Sequence, residues 1–126
     1  VQKIVYIAAP IAGDVQANLA YIRKIVHTIN TLPKYATVVP FVPYYADVVS
    51  MDDNIPEQRA RGLKNGQTVL TRPGVVDEVW MCGPVISKGM AQEAFAAWDA
   101  DIKVVGFDSN IDQVEKLKQQ WKNSKR

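Results

Sequence analysis

Apolar and polar positions alternate along this chain in two distinct rhythms. Lys3 to Ala8 (KIVYIA) is an apolar run without a polar face, which predicts a strand buried on both sides. From Asp14 onward the apolar residues Leu19, Ile22, Ile25, Val26 and Ile29 recur at helical spacing, and Pro33 ends the pattern. Ala36 to Phe41 predicts a second strand, with Pro40 confining it to a strand end or an unusual exit. Val42 to Pro56 has no sustained period and reads as a long loop or a broken helix, a kind of segment that usually serves a site or an interface. A helix is predicted from Glu57 to about Leu70, closed by Arg72-Pro73-Gly74. Val75 to Met81 then predicts a third strand, Lys88 to Trp98 a third helix, and Ile102 to Phe107 a fourth strand. The last helix, Ile111 to Trp121, would be capped by Ser109 or Asn110.

Strands alternating with helices, joined by connections too long for hairpins, imply a parallel sheet with crossovers. The expected fold is therefore α/β: a doubly wound, flavodoxin- or Rossmann-like, mainly parallel sheet of about four to five strands with helices on both faces. No internal repeat or linker divides the chain, so residues 1–126 form one domain, with a basic tail over about 122–126. Ligands in such sheets bind beyond the carboxyl ends of the strands, which directs attention to Ala9–Asp14, Phe41–Asp53 and Cys82–Met90.

Composition removes several functions. A single Cys and a single His cannot build a zinc cluster or a Cys/His catalytic pair, so metal chemistry would need carboxylates alone and no metal site is expected. The formal charge of +2 comes from the carboxyl end: five cations follow Glu115, and the body before them has 10 cations against 13 acids. That distribution lacks the basic face of a nucleic-acid binder. No apolar run approaches a membrane span and no secretory signal is evident, so a cytoplasmic location is expected, with neither nucleic-acid polymer nor membrane as partner.

Two loops carry chemistry. Ala8-Ala9-Pro10-Ile11-Ala12-Gly13-Asp14 is a small-residue turn entering a helix, whose free N–H groups could meet an anion; a plain tight turn capped by Asp14 accounts for it equally well. In Cys82 to Glu93, Ser87 and the N–H groups of Lys88 and Gly89 could form a second anion site. Gly89, Gln92, Glu93 and Ala96 share one helix face, which either leaves room for a ligand beside the Glu93 carboxylate or is simply solvated.

These residues resemble the nucleoside 2-deoxyribosyltransferase-like superfamily. The likeness spans nearly the whole chain and lies in Tyr6 to Gly13 before a long helix, and in Ser87-Lys-Gly-Met-Ala-Gln-Glu93 after the Asp77-Glu-Val-Trp-Met strand. It is closest to a branch of short bacterial and phage proteins with an Asp-Asp loop (Asp52-Asp53), a Pro-Glu helix start (Pro56-Glu57) and the Ile86 to Glu93 motif. The resemblance implies cleavage of the N-glycosidic bond of a nucleoside or nucleotide without a cofactor, as a hydrolase or deoxyribosyltransferase. It implies Glu93 as nucleophile and Tyr6 as the residue orienting it. A nucleotide would be held by Pro10, Ile11, Ala12, Gly13, Ser87, Gly89 and Met90, in a homodimer or larger homo-oligomer.

Two residues depart from the superfamily pattern. Ala12 stands where the nucleotide hydrolases have an arginine, and the helix before strand three offers Asn65, Gln67 and Thr68 where their acidic aspartate lies. Candidate acids in this chain are Asp52, Asp53 and Glu57, each of which is also at home as an exposed charge. Phe41, Tyr44 and Tyr45 could stack a base or fill a dimer interface. Arg59 and Arg61 could reach a phosphate or form surface ion pairs, while Trp80 and Trp98 belong to the core and Asp77 to the framework. The alternative to an enzyme is a non-catalytic nucleotide-binding protein, for instance a phage sponge for a nucleotide signal.

Overall fold

The computed structural model describes residues 1–107 and 110–125. Four strands, β1 (Lys3–Ala8), β2 (Val38–Phe41), β3 (Glu78–Met81) and β4 (Lys103–Gly106), form one parallel sheet in the order β2-β1-β3-β4. Five helices connect or follow them: α1 (Val15–Thr31), α2 (Tyr44–Ser50), α3 (Pro56–Thr71), α4 (Lys88–Asp99) and α5 (Ile111–Ser124). The chain runs from β1 outward to β2, then returns across β1 to β3 and continues to β4. With right-handed crossovers that reversal places helices on both faces and makes the fold doubly wound.

The central strands explain the apolar runs. Val5, Ile7, Val79 and Met81 are fully buried because β1 and β3 are covered on both faces. Pro40 is accommodated because β2 is an edge strand, so its missing N–H interrupts no ladder on the outer side. Trp80 stacks on Phe107 at 5.3 Å and meets Tyr35 edge-on at 5.8 Å, while its indole N–H donates to Glu78. Asp77 is structural, its carboxylate accepting the Ile4 N–H at 2.7 Å. No helix among the described residues is long and apolar enough to cross a membrane.

Several boundaries differ from those predicted. The patternless segment after β2 contains α2, the broken helix of the two readings open for it. The ladder of β3 starts at Glu78, three residues later than the apolar run suggests. Residues 122–124 are not a frayed tail but the last turn of α5. Lys125 pairs with Asp99 at 2.6 Å, and the Trp121 indole donates to the same carboxylate at 2.9 Å. The Lys-rich composition hid this because the partners lie on α4, remote in sequence.

Asn110 occupies the N-cap position of α5 without capping it; Ser109 lies outside the described residues. Its buried amide instead donates to the carbonyls of Met81 and Gly83, both at 2.8 Å, and its Oδ1 has no hydrogen-bond partner among the described residues. That oxygen lies against Gly106, where an added Cβ would stand 2.6 Å from it and 3.0 Å from the Ile111 Cα. Gly106→Ala is therefore expected to cost about 1–3 kcal/mol through overpacking. Urea unfolding of the two proteins measures this, and an unchanged midpoint would mean that the junction yields.

Candidate active site

The reversal of winding between β1 and β3 leaves a crevice beyond their carboxyl ends, and a cavity of about 260 Å³ lies there. Two strand-to-helix turns shape one side of it. In the first, Gly13 adopts φ +93°, a conformation that favours glycine, and Asp14 caps α1 by accepting the Ala17 N–H. Asn18 then reaches back to the carbonyls of Ile11 and Ala12 at 3.0 and 3.1 Å, so the turn is held from the helix it opens. In the second, the Ser87 hydroxyl accepts the Met90 N–H at 3.2 Å and the Met90 sulfur accepts the Ser87 N–H at 3.5 Å. Gln113 fixes this loop from α5, binding the Pro84 carbonyl and the Ile86 N–H.

Glu93 lines the cavity from the second turn of α4 and accepts a hydrogen bond from the Tyr6 hydroxyl, which lines it from β1. Burial pushes the Glu93 carboxyl up to about 7, and the Tyr6 hydrogen bond acts in the opposite direction. Burial, then the negative charge of Glu93, raises the Tyr6 hydroxyl well above its usual range, which keeps it a donor. Tyr44 packs on Tyr6 with ring centroids 5.8 Å apart and donates to the Ile7 carbonyl at 2.5 Å. The result is a carboxylate held in one orientation inside a largely apolar chamber.

Of the candidate residues, Ile11, Ala12, Tyr44, Asp52, Asp53, Ser87, Gly89, Met90 and Glu93 line the cavity with Tyr6. An added Cβ at Gly89 would meet nothing within 4 Å, consistent with the open space expected beside Glu93. Pro10, Gly13, Phe41 and Glu57 do not line the cavity: Gly13 serves the turn through its positive φ, Phe41 packs at the edge strand, and Glu57 is exposed in the first turn of α3. Tyr44 is a buried wall residue, 8% exposed, rather than a free stacking surface or an interface ring. Tyr45 instead accepts a hydrogen bond from Arg23. Arg59 lines the cavity and lies 4.0 Å from Asp53.

The sequence reading missed Asp47 on α2 and the part played by two glycines of α3. Gly62 and Gly66, one turn apart on an otherwise polar helix, both line the cavity, and an added Cβ at Gly66 would come within 3.1 Å of the Tyr6 hydroxyl. Glycine pairs are costly in a helix, which was the available signal of close approach. Gly66→Ala is expected to displace the Tyr6 hydroxyl and remove the interaction that lowers the Glu93 carboxyl, so Glu93 should titrate above about 7. NMR titration of the carboxyl carbon tests this; an unchanged midpoint would mean that Tyr6 follows the new methyl without losing its bond. Among the described residues no group of three or more His, Cys, Asp or Glu side chains could hold a metal ion.

Residues 3–107 match the family described as "Domain of unknown function (DUF7768)". No curated protein and no solved structure matches the chain.

Proposed function

The chain belongs to the DUF7768 family, and on the chemistry of its cavity we propose that it cleaves the N-glycosidic bond of a nucleoside or nucleotide, with Glu93 as nucleophile. The observation that carries this reading is the Glu93 carboxylate, bonded by Tyr6 and buried in a chamber at the switch point of the sheet. Breaking a C1′–N bond builds positive charge on the sugar. A desolvated carboxylate stabilises that charge more strongly than a hydrated one and can capture C1′ covalently while the departing base takes a proton from Asp52 or Asp53, the candidate acids that line the cavity; water or a second base then releases the sugar from Glu93. Tyr6 takes no proton in this scheme; it donates to Oε2, and the other oxygen is the one that would meet C1′.

The likeness of Tyr6 to Gly13 and Ile86 to Glu93 to the nucleoside 2-deoxyribosyltransferase-like superfamily supports the same reaction. In this reading Ser87, Lys88 and Gly89, with Ile11 and Ala12, face the sugar and any 5′-phosphate. The partner is a small nucleoside or nucleotide, and no polymer is involved.

The non-catalytic reading draws on one observation. The α3 side of the cavity presents Gln67 rather than an acid, and a leaving base needs a proton. Incubation with nucleosides, nucleoside monophosphates and cyclic nucleotides separates the two. Free base on chromatography supports catalysis. Intact ligand retained in native mass spectrometry, with no base released by any compound, would replace the catalytic reading with sequestration.

A further inference from the structure

The α2–α3 side of the cavity contains a polar relay for which the proposed reaction has no use. Asp47 lines the cavity from α2, half-buried, and its Oδ2 accepts the Asn65 side-chain N–H at 3.3 Å. Asn65 does not line the cavity; its own Oδ1 accepts the Arg61 Nε–H at 3.2 Å. Because the guanidinium can only donate, the Asn65 oxygen must face Arg61, and its amino group must face Asp47. The relay therefore engages Oδ2 of Asp47, a residue that lines the cavity, and leaves Oδ1 outside the relay.

We propose that Asp47 reads the base of the ligand and selects bases with an exocyclic amino group, adenine and cytosine, over their keto counterparts, hypoxanthine and uracil. This inference rests on the nucleoside reading of the cavity. A carboxylate offers acceptors alone. An amino group on the base satisfies it with a charge-assisted hydrogen bond, whereas a keto oxygen would face it with no proton between the two, leaving both unpaired.

The other carboxylates do not duplicate this contact. Asp52 and Asp53 also line the cavity, but the Asp52 Oδ1 accepts the Asn54 N–H at 2.9 Å and Asp53 lies 4.0 Å from the Arg59 guanidinium. Gln67 is neutral and can turn either its oxygen or its amino group toward a ring nitrogen, so it accommodates both kinds of base. The amino or keto choice thus falls to Asp47.

The relay also dictates what a substitution does. In Asp47→Asn the Asn65 amino group still requires an acceptor, so the new amide turns its oxygen to Asn65 and its amino group to the cavity. The preference should invert rather than merely weaken. Asp47→Ala should abolish it in both directions.

The test is calorimetric binding of adenosine against inosine and of cytidine against uridine, with base release followed in parallel. Wild type is expected to favour the amino member of each pair by roughly 10- to 100-fold, and Asp47→Asn to favour the keto member. Equal affinity within the pairs in wild type, or an amino preference that persists in Asp47→Asn or Asp47→Ala, would overturn the inference while leaving the glycosidic reading intact. If no nucleoside or nucleotide is bound or cleaved by wild type, the reading of the cavity itself falls, and this inference with it. Should Asp47→Asn fail to fold, the wild-type pairs and Asp47→Ala decide the matter.

Discussion

Replacing Glu93 with Gln is expected to lower base release by about 10³-fold or more while shifting ligand affinity by less than about threefold. Glutamine keeps the size of the side chain and an oxygen for the Tyr6 hydroxyl, so the cavity retains its shape. What disappears is the negative charge, whose value is greatest when the sugar becomes cationic and small before that point. In wild type the same charge appears only as the carboxyl ionises, about 7, so turnover should rise with pH and level off above that value. Single-turnover base release from pH 5 to 9, with affinity measured separately, checks both statements. Base release that survives the substitution would move the nucleophile to Asp52 or Asp53, the other candidate carboxylates that line the cavity.

The same substitution should make the protein more stable, and only at the pH where the wild type works. Glu93 binds its proton more tightly folded than unfolded, since burial raises it from 4.5 to about 7. Below pH 4.5 the group is protonated in both states and contributes its full stability. Between 4.5 and 7 the unfolded chain ionises first, and the folded state loses ground until its own carboxyl ionises. The loss amounts to ~3 kcal/mol once pH exceeds 7. Glu93→Gln cannot ionise, so it should exceed wild type by ~3 kcal/mol at pH 8 and match it near pH 4.5. Urea unfolding at the two pH values measures the difference. Equal gains at both would mean that the effect comes from packing rather than from ionisation. A chain more stable without its charge would fit a carboxylate kept for chemistry.

The parts of this molecule readable in its sequence are those decided locally. The run from Lys3 to Ala8 is apolar on both faces because β1 is central, and the α1 stripe of Leu19, Ile22, Ile25 and Ile29 is the buried face of that helix. The Glu93 face of α4 was equally legible, since helical spacing places Gly89 and Glu93 together whatever surrounds them. Asp47 was not legible. Its place on the cavity depends on how α2 lies against α3, where an added Cβ on Gly62 would be 3.8 Å from the Asp47 Cβ, and no period within a seven-residue helix carries that information. The end of α5 was misread for a related reason: charge alone suggests solvent, whereas Lys125 and Trp121 both converge on Asp99 of α4.

The hydrogen bonds from α5 to the loop after β3 bear on where this protein can be divided. The family match ends at residue 107, before that helix begins. Yet Asn110 holds the carbonyls of Met81 and Gly83, and Gln113 holds Pro84 and Ile86, four anchors along the stretch that delivers Ser87 to the cavity. The last helix is thus a brace for a segment that leads to the cavity, while none of its own described residues lines that cavity. A chain cut at residue 107 would keep every residue lining the cavity and lose the bonds from α5 that hold one of its turns.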